Sequence, residues 1–225
     1  MGYTRKQFKS ESDWLGGRII GGSGASAIVG ENPYKTNVDY FNSMIKVRKG
    51  FIAKDNISNL DAVQFGKKAE SPIRYLYALL NKDKYDVIRP RTVEQDGYIE
   101  MLVSDEHPFM TATLDGELIE KGTNRKGILE VKTSTILNTV NKEKWRDTIP
   151  NNYFIQILHY LLVKDDAEFV ELVAYLVFKD DKQIVNTYHF ERADFVEEIE
   201  KLKKAELEFW QQLETNQKPS LILTL

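Results

Sequence analysis

Apolar residues recur along this chain with two periods, and the switch between them lays out an order of elements. Spacings of three and four predict a helix over 36–47, where Val38, Phe41, Met44 and Ile45 share a face behind a Thr36 cap. The same spacing predicts a long helix over 61–80, with Ala69, Ile73, Leu76 and Leu80 as its stripe. Further helices are expected over 150–163 and over 194–216, the last with Phe195, Ile199, Leu202, Phe209 and Leu213 inward. Shorter ones are expected over 7–15 and 26–29, the second stopped by Gly30 and Pro33. Runs rich in β-branched and aromatic residues predict strands over 85–91, 99–103, 110–119, 128–133, 169–178 and 184–190. A strand cluster between helices gives an α/β (α+β) fold, read as a single domain over residues 1–225, with no internal repeat and no low-complexity linker.

Composition narrows the function classes. The 225 residues are 42% hydrophobic, enough for a real core, and no apolar run is long enough to span a membrane. The first nine residues are polar and basic with no apolar stretch behind them, so no signal peptide is expected. Cysteine is absent, which excludes disulfides, thiolate zinc sites, cysteine-ligated iron–sulfur clusters and a cysteine nucleophile. A cytoplasmic protein is the expectation. The net charge of -3 argues mildly against a nucleic-acid binder. Carboxylates clustered for a metal can mask a local basic patch, and Arg18, Lys35, Lys46, Arg48 and Lys49 are dense enough to make one.

The chemistry concentrates in two segments, Leu114-Asp115-Gly116 and Leu129-Glu130-Val131-Lys132, separated by the turn-rich Lys121-Gly122-Thr123-Asn124-Arg125-Lys126-Gly127. That pattern reads as a β-hairpin. Pairing would bring Asp115 and Glu130 to one face, with Lys132 beside them because alternate strand residues share a face. Two carboxylates suit a hard cation, and an ammonium next to them can hold or polarise a water. The opposing reading is a wet strand face on which Glu130 and Lys132 form an ordinary ion pair. Glu-x-Lys occurs once. The one Asp-x-Lys, Asp180-Asp181-Lys182, sits in a polar turn and is expected to be solvated.

Three other segments carry more than one reading. The run Ile20-Gly21-Gly22-Ser23-Gly24-Ala25-Ser26-Ala27 loosely fits a dinucleotide loop with Asp39 downstream. The strand before it is too short and the helix after it ends too soon for that assignment. A flexible turn remains, or a phosphate cradle built from helix-start N–H groups with Ser23, Ser26 and Arg18. Glu70 falls on the Ile73 and Arg74 side of its helix, as an ion-pair partner of Arg74 or as a group of the metal site. Tyr153, Gln156 and Tyr160 share one helix face. A glutamine among Ile, Leu and Tyr needs a partner: a sheet edge, a bound water or a DNA phosphate. His159 is expected to be structural, and no histidine is assigned to a metal.

Taken together, several segments resemble one family. Gly21-Gly22-Ser23, Ala25-Ser26-Ala27-Ile28, Asn32-Pro33-Tyr34-Lys35-Thr36, Phe65-Gly66 with Glu70, Leu114-Asp115-Gly116, Leu129-Glu130-Val131-Lys132-Thr133, and Ile149-Pro150 with Tyr153, Gln156 and Tyr160 are similar to the YqaJ-type viral recombinases. These are relatives of phage lambda exonuclease in the PD-(D/E)xK nuclease superfamily, and the likeness runs from Trp14 to about Phe178. The resemblance implies a restriction-endonuclease-like core with a mixed central β-sheet flanked by helices. It implies a metal-dependent 5′-to-3′ exonuclease that acts on linear double-stranded DNA and works with a single-strand annealing protein. It implies Mg²⁺, or Mn²⁺ in its place, held by Asp115, Glu130 and the Val131 carbonyl, with Lys132 catalytic and Glu70 and Gln156 completing the site. Arg18, Ser23 and Ser26 match the region that grips a 5′-phosphate, and Asp105 matches a peripheral acidic residue. A ring-shaped homotrimer and a phage or prophage origin in a bacterial host are also implied. Two departures stand out: Gly24 replaces the family's frequent Asp, and Leu114 replaces the superfamily's Pro. Other readings of the same residues are a RecB-like nuclease acting on single strands or ends, a non-catalytic DNA-binding relative, and a structural or interaction protein.

Overall fold

The computed structural model describes residues 2–50, 60–180 and 182–222, so Asp181 of the Asp-x-Lys triplet lies outside the described residues. The chain opens with strand β1 (Tyr3–Phe8) and helix α1 (Glu11–Gly17), then β2 (Ile20–Gly21), α2 (Gly22–Ile28), α3 (Asn37–Arg48) and α4 (Asp61–Leu80). β3 (Tyr85–Ile88), α5 (Val93–Asp96), β4 (Ile99–Ser104), β5 (Met110–Ala112), β6 (Gly116–Glu120) and β7 (Lys126–Ile136) follow. α6 (Thr139–Glu143) and α7 (Asn151–Val163) lead to β8 (Phe169–Phe178), β9 (Gln183–Glu191), a 3₁₀ turn at Arg192–Phe195 and α8 (Val196–Glu214).

The strands form two mixed sheets. One has the order β1-β4-β5-β2, the other β3-β6-β7-β8-β9. In the second, β7 runs parallel to β8 through α6 and α7, while the other pairs are antiparallel. The pleat of β7 divides its side chains between two clusters. Leu129 and Val131 join Ile73 and Tyr77 of α4, whereas Ile128 joins Ile157, Leu158 and Leu161 of α7. The sheet is thus covered by α4 on one face and by α7 on the other. The α7 cluster also takes Ile20, Met110 and Ala112 from the first sheet, so both sheets share one core.

Four expectations are corrected. Residues 7 and 8 belong to a strand, because Tyr3–Phe8 pairs in register with β4 from Tyr3↔Ser104 to Phe8↔Ile99; the helix begins only after Ser10, whose hydroxyl accepts from the Asp13 N–H at 3.1 Å. The helix expected over 26–29 begins at Gly22, since Gly22 and Gly24 are buried against α7 and α3. The strand expected over 110–119 is broken at 113–115, where the chain crosses from the first sheet to the second. The stripe of α4 turns toward Ile73, Arg74 and Tyr77, leaving Leu76 43% and Leu80 72% exposed.

Candidate active site

The break at 113–115 builds the site. Gly116 pairs with Leu129, which sets Asp115 at the entry of β6 beside Glu130 of β7. The Asp115 carboxylate accepts a 2.8 Å hydrogen bond from the Val131 N–H. One step along the pleat, Lys132 Nζ stands 2.5 Å from Glu130 Oε1. Gln156 reaches in from α7: its Nε2 donates to the same Glu130 oxygen at 2.8 Å and to the Tyr160 hydroxyl at 2.6 Å. That amide thereby spends one N–H on each partner. From α4, Arg74 Nη1 donates to Glu70 Oε1 and to the Asp115 carbonyl, both at 2.8 Å. The hairpin and Glu–Lys geometry are as expected, and the Glu70–Arg74 ion pair is present with its arginine clamped to the Asp115 backbone.

This is not the wet face of an ordinary strand. Glu130 is 1% exposed and Gln156 7%. Burial, then the nearby Glu130 charge, push the Asp115 carboxyl well above its ordinary range. Burial also raises Glu130, although Lys132 draws it back. Burial raises Glu70, and the Asp115 charge adds to it. For Lys132 burial pulls downward, but Glu130 and Asp115 more than offset it and the ammonium is held above its usual range. Its Nζ lies 5.0 Å from the centroid of the Tyr153 ring, a cation–π contact that covers one side of the charge.

Among the described residues no three His, Cys, Asp or Glu side chains converge into a complete metal cage. The residues present nonetheless fit a hard cation. Glu130 Oε2 is buried with no hydrogen-bond partner, and Asp115 and Glu130 crowd negative charge that a cation would relieve. Carboxylate and carbonyl oxygens are the donors Mg²⁺ prefers, and it keeps several waters rather than an all-protein cage.

The glycine-rich run folds differently from either sequence reading alone. It is the start of α2, and Gly21 and Gly22 are needed for close approach. A Cβ on Gly21 would come within 2.3 Å of the Arg18 Nε, and one on Gly22 within 2.6 Å of the Tyr160 ring. Arg18 Nη2 donates to Ser23 Oγ at 2.8 Å, and the guanidinium lies 5.8 Å from the Trp14 ring centroid. Asp13 turns instead to Ser10 at 2.7 Å, and among the described residues no carboxylate pairs with Arg18. Ser26 is 1% exposed, its hydroxyl accepting from Asn32 Nδ2 at 3.0 Å. Asp105 accepts from Thr4 at 2.8 Å at the end of the β1–β4 pair, and among the described residues it makes no hydrogen bond to the carboxylate pair.

Sequence reasoning left several supporting groups without a role. Tyr160, Tyr153 and Trp14, whose Nε1 donates to Thr113 Oγ1 at 2.9 Å, all brace the site. Their aromatic character was visible, but an aromatic at helical spacing ordinarily signals core. Glu206 is fully buried and bonds His159 Nδ1 at 2.8 Å; it interrupts the inward stripe of α8, which was the available signal.

A family model described as the YqaJ-like viral recombinase domain matches residues 13–167. The chain belongs to that family. A relative from Bacillus subtilis (strain 168), described as "Uncharacterized protein YqaJ", is 28% identical over 204 residues. The match covers 89% of this chain and 56% of that protein, so the chain spans little more than half of its relative. Among solved structures, the alkaline exonuclease LHK-Exo from Laribacter hongkongensis superposes with a TM-score of 0.61 at 16% identity, covering 91% of this chain and 95% of that one. A phage related exonuclease from Haemophilus somnus 129PT gives 0.55 at 15%, covering 88% and 96%. This family member therefore has the alkaline-exonuclease fold. Among the described residues no helix is long and apolar enough to cross a membrane.

Proposed function

We propose that this chain is a metal-dependent 5′-to-3′ exonuclease acting on linear double-stranded DNA in phage-type recombination, with residues 1–225 as its nuclease domain. Family and fold carry the coarser part, a deoxyribonuclease. One observation carries the chemistry: a buried and a half-buried carboxylate share a site with an ammonium, and one oxygen of the buried carboxylate is left without a partner.

Asp115, Glu130 and the Val131 carbonyl would hold Mg²⁺ or Mn²⁺, which when bound supplies a Lewis acid at the phosphate and a more acidic water. Lys132 orients the attacking water and offsets charge building on the phosphate oxygens. Gln156, itself held by Tyr160, fixes the Glu130 carboxylate. Arg74 fixes the Asp115 backbone and keeps Glu70 at the rim. Arg18 and Ser23 form the anchor for a terminal 5′-phosphate, over the Ser26–Asn32 bond that stiffens the loop. Phosphate contacts set position rather than sequence, so base preference is weak. A single-strand annealing protein as partner and a homotrimeric ring belong to the same proposal. Digestion of linear duplex DNA with Mg²⁺ and then with excess EDTA tests it. Nucleotide release in Mg²⁺ that stops with EDTA is expected, and intact DNA in Mg²⁺ would overturn it.

A further inference from the structure

Tyr34 is 85% exposed, the most exposed of the large hydrophobic side chains among the described residues. The backbone that carries this exposed ring is tied down on both sides. Asn32 Oδ1 accepts from the N–H groups of Tyr34 at 2.9 Å and Lys35 at 3.1 Å. Its Nδ2 donates to Ser26 Oγ at 3.0 Å and to the Ser23 carbonyl at 3.3 Å. On the far side, Thr36 closes a capping box with Asp39 at the start of α3. The backbone on both sides of Tyr34 is therefore fixed, and fixed to the residue that receives Arg18.

The loop that carries the ring also adjoins the carboxylate site: Asn32 is bonded to Ser23 and Ser26 of α2, and Gly22 of the same helix packs against Gln156 and Tyr160, the pair that holds Glu130. Beside that loop a groove of about 480 Å³ runs from Glu31, Asn32, Lys35 and Thr36 to Lys144 and to Asn152 in the first turn of α7, with Glu31 accepting from Asn151 at 3.0 Å. Neither lysine has a carboxylate partner among the described residues. Lys35 lies over the Tyr40 ring at 5.8 Å. An exposed aromatic face on a fixed backbone, next to ammonium groups without a carboxylate partner, is the surface that single-stranded nucleic acid uses, stacking its bases and tracking its backbone.

We propose that Tyr34 is a stacking platform for a nucleobase of the strand being cut, beside the scissile phosphate. This rests on the nuclease reading above and adds the base contact that the phosphate anchor lacks. Stacking is sequence-tolerant, so it grips any base and slides with the strand.

Steady-state kinetics on 5′-phosphorylated linear duplex test it. Tyr34→Ala is expected to raise KM about tenfold with kcat nearly unchanged. Tyr34→Phe should behave as wild type, since the ring and not the hydroxyl carries the contact. A series of duplexes with one abasic nucleotide stepped in from the 5′ end should contain a position that raises the wild-type KM to the Tyr34→Ala level and leaves that variant unaffected. An unchanged KM in Tyr34→Ala overturns the proposal and leaves the ring for a protein partner. A loss confined to kcat overturns it too, because Tyr34 would then act on the reacting groups rather than hold a base. Failure of the wild type to digest DNA at all overturns both readings, whereas digestion indifferent to Tyr34 overturns only this one.

Discussion

Single residues in the site differ in what holds them, and that sets what their loss should do. Lys132 touches Glu130 and the Tyr153 ring. Lys132→Ala is expected to lower kcat about 10³-fold while Kd for DNA stays within a few-fold, the signature of an interaction made in the transition state. Near wild-type turnover would remove Lys132 from the chemistry. Arg18 makes a different case. It bonds Ser23 and has no carboxylate partner among the described residues, so its charge is free for a ligand. A terminal phosphate carries more charge than an internal one, and a guanidinium can meet it with two parallel N–H groups. Arg18→Ala should therefore slow phosphorylated ends and barely affect hydroxyl ends. Matched substrates give the ratio, and a wild-type ratio near one would displace the anchor from Arg18.

At the scale of elements, legibility followed the length and regularity of the pattern. The long helix at 61–80 and the strand at 169–178 fall where their periodicity places them, because many residues vote for one period. The break at 113–115 was invisible, since Thr113, Leu114 and Asp115 carry no glycine or proline; it exists because Trp14 and Arg74, distant in sequence, hold it. The same arginine explains the misplaced stripe of α4, where a charge is buried for the site and two leucines are left outside. Asp115, Glu130 and Lys132 were legible because strand pairing is local, whereas the bracing by Tyr160 and Arg74 depends on helix packing. Gly22 turns this packing into a test. A Cβ there would lie 2.8 Å from Gln156 Cγ and 2.6 Å from Tyr160 Cε1, both attached to the groups that hold Glu130. Gly22→Ala should cost about 1–3 kcal/mol by overpacking and also depress kcat. Gly16→Ala, where a Cβ meets nothing within 4 Å, serves as the control and should gain stability, up to about 1 kcal/mol. Equal activity and equal melting temperature in the two variants would mean that α2 does not set the Gln156 position.

Across the whole molecule, one buried pair ties the site helix to both of its distant supports. His159 of α7 bonds Glu206 of α8 through Nδ1 at 2.8 Å and the Thr111 carbonyl of β5 through Nε2 at 2.9 Å. A carbonyl and a carboxylate both accept, an arrangement that favours the protonated imidazole, whose two ring nitrogens both donate. Burial pulls its pKa down, but the Glu206 charge and hydrogen bond and the Thr111 carbonyl more than offset this, and the net shift is upward from 6.5. Arg18 opposes it weakly through its charge, and Tyr40 of α3 is the other titratable group that feels Glu206. The folded chain therefore holds a proton at His159 over a pH range in which the unfolded chain has released it. Stability rises where the unfolded state binds more protons, and here it binds fewer, so stability falls with rising pH. The contribution is complete below about 6.5 and is lost as pH climbs through the folded value. His189 is also shifted upward: burial pulls it down, but its hydrogen bonds to Glu191 and Glu171 win. Its slope is common to any variant that keeps it. Replacing the buried pair together, His159→Gln with Glu206→Gln, removes the titration without stranding a charge. Melting temperatures from pH 6 to about 9 at fixed ionic strength should fall more steeply for wild type than for the double variant. Parallel profiles would show that the proton is not held at His159, and that the bonds of α7 to α8 and β5 are those of a neutral ring.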